Sequence, residues 1–545
     1  MTATGSFGPR DRRFADAAII GAQLHTLDAD RPRASAVAWR RGQIIAVGDD
    51  AEVREACDAR TRLIDGADTA IVPGLVDAHF HALSGASATF GAVDLMSCQT
   101  LDEVRKLLAE HRRRRRSEWV LGYGLRYSAF PDGRPDGALL EAAVDGAPAF
   151  LTMFDFHAAV ATARALELAG IDHPMHLPGT AAVGVKGGRL TGELRESPAM
   201  DLVRAVLPPP TPEEHRAHLV DCLRGWNAMG LTAAHIMDGT PETFETLREL
   251  EASGDLTMRM TIALTQTPDM SDEARHALLQ LRDEHGELWR GGAVKFFIDG
   301  TVEAGTAWLF EPDLAGGGQS PYWPDPRLYQ LTVAAFSRAG FQCVTHAIGD
   351  RAVREALDAY RAAGHPPGVM HRIEHIECVR DEELARFASE HVVASMQPVH
   401  VDATFDDANP VWPRRLGPER AARAWRCGDL LRSGAVLALG SDWPVAWADP
   451  RRGMASARLR RSPGRPQAPV VGSDQALTPL QALMGFTLGP AVAAGEGGHA
   501  GRIKPGFRAD LTGFAADPLT ADADELPQVP VSVTIVGGRI VFEGK

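Results

Sequence analysis

Apolar and polar residues alternate in short runs at both ends of the chain, whereas the middle alternates short apolar runs with amphipathic segments of helical period. Near the N-terminus, residues 17–20, 36–39 and 43–47 read as strands separated by Gly and Asp turns. Residues 509–514 and 531–542 read the same way, with Gly537-Gly538 as a hairpin turn. Two β ends around an α/β middle predict one composite small β domain, made from residues 1–70 and 495–545.

Between these ends the β-then-α pattern repeats, which predicts a parallel sheet with crossover helices. Apolar strand candidates occur at 71–76, 231–236, 256–264, 293–298, 341–345, 372–375, 392–396 and 435–439. Eight such units predict an α/β (β/α)₈ TIM-like barrel over residues 71–494. Thr211-Pro212-Glu213-Glu214 supplies an N-cap, a Pro at the first helical position and an early acid, and Gly230 ends that helix before the second strand. The gap between the first two strands is far longer than a crossover needs. An inserted α/β subdomain is therefore expected over residues 90–210, with strands at 119–123 and 150–154 and helices at 101–116 and 162–169, placed to cover the barrel mouth.

Composition narrows the function classes. At 545 residues with 45% hydrophobic and 23% charged residues, the chain is an ordinary globular protein of more than one unit. A net charge of -14 speaks against a nucleic-acid binder, and the one basic block, Arg112 to Arg116, reads as a solvated helix end. The six cysteines form no Cys-x-x-Cys pair, and no apolar run is long enough to span a membrane. The expectation is a cytoplasmic protein with no nucleic acid and no membrane as partner, and a homodimer left open.

Chemistry-bearing residues gather at the ends of the predicted strands. His79 and His81 end the first in Val76-Asp77-Ala78-His79-Phe80-His81, where two-residue spacing points both imidazoles to one side. Lys295 stands inside the apolar run Ala293-Val294-Lys295-Phe296-Phe297, although lysine is rarely buried unpaired. His346 and His375 end the fifth and sixth strands, and Gly440-Ser441-Asp442-Trp443-Pro444 follows the eighth. Taken singly, His346 and His375 read as core histidines and the His79–His81 pair as a loop coincidence; together, polar residues at the C-terminal ends of several strands read as an active site.

This constellation resembles the amidohydrolase superfamily, and within it the YtcJ-like branch that includes N-substituted formamide deformylases. The resemblance runs from Pro73-Gly74-Leu75-Val76-Asp77-Ala78-His79-Phe80-His81 to Lys504-Pro505-Gly506-Phe507-Arg508-Ala509-Asp510-Leu511. It implies that His79, His81, His346 and His375 are metal ligands, that Lys295 is carboxylated by CO₂ into a bridging carbamate, and that Asp442 contacts the metal and carries protons. Asp155-Phe156-His157 and Gly192-Glu193-Leu194-Arg195-Glu196 also resemble the branch, His157 as a substrate contact and Glu196 more weakly. The implied cofactor is Zn²⁺, one or two ions, with other divalent metals open. The implied reaction is hydrolysis of a C–N bond other than a peptide bond, in an amide or an N-acyl or N-formyl amine. Hydrolysis of an ester, lactone or cyclic amidine in the same site, or a degenerate barrel binding a regulatory ligand, are the alternatives. Trp443 and Trp447, after the eighth strand, predict a bulky aromatic pocket rim.

Overall fold

The computed structural model describes residues 14–114, 118–177, 181–209, 211–405 and 410–544. Its centre is an eight-stranded parallel sheet. The strands are β1 (Leu75–Phe80), β2 (Leu231–Gly239), β3 (Arg259–Thr265), β4 (Trp289–Phe297), β5 (Gln342–Ala347), β6 (Arg372–His375), β7 (Val393–Met396) and β8 (Leu437–Leu439). The sheet closes on itself, because the Asp442 amide donates to the His79 carbonyl at 2.8 Å and the His81 amide to the Trp443 carbonyl at 3.0 Å. Every residue of β5, β6, β7 and β8 is buried, as expected of parallel strands covered on one face by helices and on the other by the barrel interior.

The first barrel strand differs most from expectation. Residues 71–76 do not form a single barrel strand: Ala70–Pro73 pairs antiparallel with Leu511–Phe514 in a terminal sheet, and the barrel strand starts at Leu75. The apolar run is continuous across Gly74, so periodicity cannot register the change of sheet. Gly74 itself is required there, since a Cβ would lie 2.3 Å from the Thr232 hydroxyl on β2. His79 is consequently inside the first barrel strand.

The two chain ends build a β-sandwich. A four-stranded sheet from the N-terminal segment faces a six-stranded sheet that combines Gln23–His25, Arg33–Ala34 and Ala70–Pro73 with Leu511–Phe514, Val531–Val536 and Arg539–Glu543. Ile19, Val37 and Trp39 of one sheet meet Leu24, Ile71, Leu511 and Ile535 of the other. The hairpin at Gly537-Gly538 has φ of 56° and 75°, the left-handed pair that a tight two-residue turn needs.

The segment between β1 and β2 forms its own six-stranded sheet, from Val93–Asp94 to Arg189–Arg195, packed on helix Leu101–Arg114. Arg115 and Arg116, the end of the basic run, lie outside the described residues. The helix Pro212–Ala228 that leads into β2 starts with the N-cap expected at Thr211, there part of a capping box in which its hydroxyl accepts from the Glu214 amide, and Gly230 (φ 93°) follows its C-terminus.

Candidate metal centre

The C-terminal ends of β1 and β8 are locked together from below. The buried Asp77 carboxylate accepts hydrogen bonds from the His79 and Ser441 amides, each at 3.0 Å, and burial pushes its pKa up to about 7. Gly440 is squeezed into the same joint, where a Cβ would come within 2.5 Å of the His79 nitrogen. Immediately above, Asp442 and His375 both hold left-handed backbone, with φ of 62° and 71°. Non-glycine residues in that region are strained, and such strain gathers where side chains must be aimed.

Asp442 is where the imidazoles converge. Its Oδ1 lies 3.0 Å from His81 Nε2 and 3.3 Å from His79 Nε2, while Oδ2 lies 3.7 Å from His400 Nε2 and 3.9 Å from His375 Nδ1. Two trios capable of holding a cation share this carboxylate: His79, His81 and Asp442, and His375, His400 and Asp442, with donor atoms within 4.8 Å of one another in each. Burial alone would raise the Asp442 pKa, but His79, His81 and His375 outweigh it and hold the carboxyl well below its usual value. Burial, with His346 and His79 alongside, lowers the His375 pKa far below normal, so that imidazole is neutral and has a lone pair to give. His81 differs: burial opposes its charge, yet Asp238 and Asp442 raise its pKa to about 9. A cation bound there would displace that proton.

His79 is aimed from behind. Its Nδ1 meets Glu374 Oε2 at 2.6 Å, leaving Nε2 toward Asp442. Glu374 in turn accepts from Arg372 at 2.6 and 3.0 Å, and Arg372 also donates to His235, the Ala78 carbonyl and Ser395. These charges are fully enclosed in the barrel interior, yet burial is overcome: Arg372 and His79 hold the Glu374 carboxyl well below the ordinary range. A carboxylate behind a histidine sets its tautomer and raises its basicity as a ligand.

Lys295 on β4 is completely buried, and its Nζ has no hydrogen-bond partner among the described residues. The ammonium sits 4.8 Å over the Phe297 ring, and burial lowers its pKa to about 8 despite the carboxylates of Glu374 and Asp442. His346 stacks edge-on with His375 at 4.5 Å, but its Nε2 faces the Gly300 carbonyl at 3.2 Å and it belongs to neither trio. His157 reaches in from the inserted subdomain, 6.4 Å from the His346 ring, with its Nδ1 3.0 Å from Glu196. Trp443 does not rim the pocket. It stacks on Phe80 and packs edge-on against Trp226, in the wall between barrel and helix, because it follows the inward-facing Asp442 by one residue. Trp447 lies under the Arg452 guanidinium.

The donor set suits a divalent cation. His79 Nε2, His375 Nδ1, His400 Nε2 and Lys295 Nζ are all buried without a hydrogen-bond partner among the described residues, and unpaired nitrogens in a protein interior need a compensating partner. Imidazole nitrogens with a carboxylate are ligands of zinc and its first-row neighbours. Sequence reasoning missed His400 and Glu374. The first follows β7 in Gln397-Pro398-Val399-His400; the second alternates with Arg372 in a four-residue strand too buried for unpaired charge.

The sequence profile of the amidohydrolase family matches residues 62–542. The chain belongs to that family. It is 28% identical over 547 residues to Protein LONG AFTER FAR-RED 3 of Arabidopsis thaliana, covering 97% of this chain and 92% of that protein. It is 27% identical to Putative amidohydrolase YtcJ of Bacillus subtilis, covering 96% of this chain and 98% of that protein. It is 27% identical to N-substituted formamide deformylase of Arthrobacter pascens, covering 97% and 99%. Among solved structures, an uncharacterized metal-dependent hydrolase from Pyrococcus horikoshii superposes with a TM-score of 0.73 at 24% identity, covering 93% of this chain and 99% of that one, so the two share a fold.

Proposed function

We propose that this amidohydrolase-family chain is a metal-dependent enzyme that hydrolyses a C–N bond other than a peptide bond, in a small-molecule amide of the N-acyl or N-formyl amine class. The observation that carries the reading is the convergence of four imidazoles on the two oxygens of Asp442. The full-length similarity to a formamide deformylase supports the substrate class. His79, His81, His375, His400 and Asp442 would hold the ion, zinc being the best match, with His346 beside them. A bound divalent ion supplies a water acidified from a pKa of about 15.7 to roughly 7 and polarises the substrate carbonyl.

The protein's own groups do the rest. Asp442, ionised because the surrounding imidazoles depress its pKa, accepts a proton from the attacking water and returns it to the leaving nitrogen. Glu374 and Arg372 keep His79 oriented with Nε2 forward. At a pKa of about 8, Lys295 has a larger neutral fraction than an ordinary lysine. Its neutral amine adds to CO₂, forming an N–C bond and releasing one proton, and the carbamate turns an orphaned donor into an anionic oxygen ligand. His157, braced by Glu196, contacts the substrate from the inserted subdomain. The six cysteines are all free thiols, which supports a cytoplasmic setting, and no helix among the described residues is long and apolar enough to cross a membrane.

The test is turnover of zinc-loaded protein on N-formyl and N-acyl amines, dipeptides and matched esters, followed by release of amine or alcohol. Amine release from the N-formyl or N-acyl amines is expected. Turnover confined to dipeptides or to esters would replace the proposed bond class.

A further inference from the structure

Gln397 follows directly on the last residue of β7, Met396. Its side chain is fully buried, and it is the one residue whose buried donor and acceptor, Nε2 and Oε1, both lack a hydrogen-bond partner among the described residues. A neutral amide left unpaired in a protein interior is destabilising. Groups in that condition are retained where something else completes them.

The strand pattern shows where the carboxamide points. Two residues earlier, Ser395 faces the barrel interior, accepting from Arg372 at 2.7 Å. Met396 faces outward, its sulfur 3.5 Å from Cys427 on a surrounding helix. Alternation returns Gln397 to the interior. Register sets its height: Ser395 is level with Glu374 and Ala438, and the Gly440 amide donates to the Met396 carbonyl at 3.1 Å. Gln397 therefore stands one layer above Glu374, beside Gly440, which packs against the His79 backbone. Its own carbonyl accepts from the amide of His400, a member of one cation-competent trio, at 3.0 Å.

We infer that Gln397 is a specificity-determining residue that accepts the N–H of a secondary amide through Oε1. Esters and tertiary amides have no N–H to offer and leave Oε1 unpaired. The inference rests on the proposed hydrolase reading and assigns it a substrate class, amides that carry an N–H.

The test compares wild type with Gln397→Met, which keeps length and removes both polar atoms, on N-benzylformamide, N-benzyl-N-methylformamide and benzyl formate. The expected result is a drop of about 10- to 100-fold in kcat/KM for the secondary amide alone, the other two changing less than about 3-fold. Metal content should hold, and the urea midpoint should be unchanged or higher, because an orphaned amide has been removed; a structural hydrogen-bonding role would lower it. Equal losses on all three substrates, or a lowered midpoint with no change in selectivity, would overturn the assignment. Wild-type protein inactive on all three would instead overturn the hydrolase reading, and the role of Gln397 with it.

Discussion

Replacing Glu374 by Gln separates what the barrel interior does for stability from what it does for the metal centre. Glu374 accepts from Arg372 at 2.6 and 3.0 Å and contacts His79 at 2.6 Å, and all three side chains are buried. Removing one partner of a buried ion pair leaves the other charge uncompensated, which destabilises by about 3–5 kcal/mol. Losing a carboxylate behind a ligand histidine weakens metal binding by about 10- to 100-fold. Adding Arg372→Met removes the stranded charge, so stability should return in part. The recovery is incomplete because the Ala78 carbonyl, Ser395 and His235 lose their donor, at roughly 1–3 kcal/mol for each group left unpaired. Metal affinity should not return, since His79 still lacks its carboxylate. Urea unfolding of metal-free protein gives the first quantity and competition with a chromogenic chelator the second. A Glu374→Gln protein with unchanged stability and metal affinity would refute the orienting role, and a double variant less stable than the single would refute the charge argument.

Asp442→Asn keeps the side chain's size but not its basicity, so kcat should fall by about 10²–10⁴-fold even with zinc at saturation; near-normal kcat would transfer the proton to another group. Lys295→Ala should lose metal and activity together, and wild-type protein in ¹³C-bicarbonate should show a carbamate carbon that the variant lacks. His157 offers a pH test in metal-free protein. Burial lowers its pKa, but Glu196 and Asp155 outweigh this and raise it to about 9, above an unfolded value near 6.5. Its pairing therefore contributes stability fully below about pH 6.5 and loses it as pH rises through about 9. Urea midpoints of wild type and His157→Gln should differ at pH 6 and converge above pH 9, and parallel curves would contradict the pairing.

Much of this was legible in the amino-acid sequence because the signals are local. Lys295 and Asp442 interrupt or follow apolar strands, the two-residue spacing of His79 and His81 survives folding intact, and Thr211 with Glu214 caps its helix without tertiary help. What stayed hidden depends on long-range pairing. His400 lies in the helix His400–Phe405 beyond β7, where no strand period reaches it, and joins His375 only when β6 and β7 align. Glu374 and Arg372 look like a surface pair until the barrel closes around them. Trp443 faces away from the pocket because Asp442, one residue earlier, faces in, a direction that alternation could have supplied had the strand end been known. The change of sheet at Gly74 hides inside an unbroken apolar run.

In the proposed mechanism, hydrolysis of an amide needs a cation held around Asp442. Metal-free protein should be titrated with zinc while amine release from an N-formyl amine is followed in the same cell. Activity should be absent at the start, rise in proportion to added zinc, level off at about one or two ions per chain, and vanish with excess chelator. Full activity in protein shown by elemental analysis to carry no metal would contradict it.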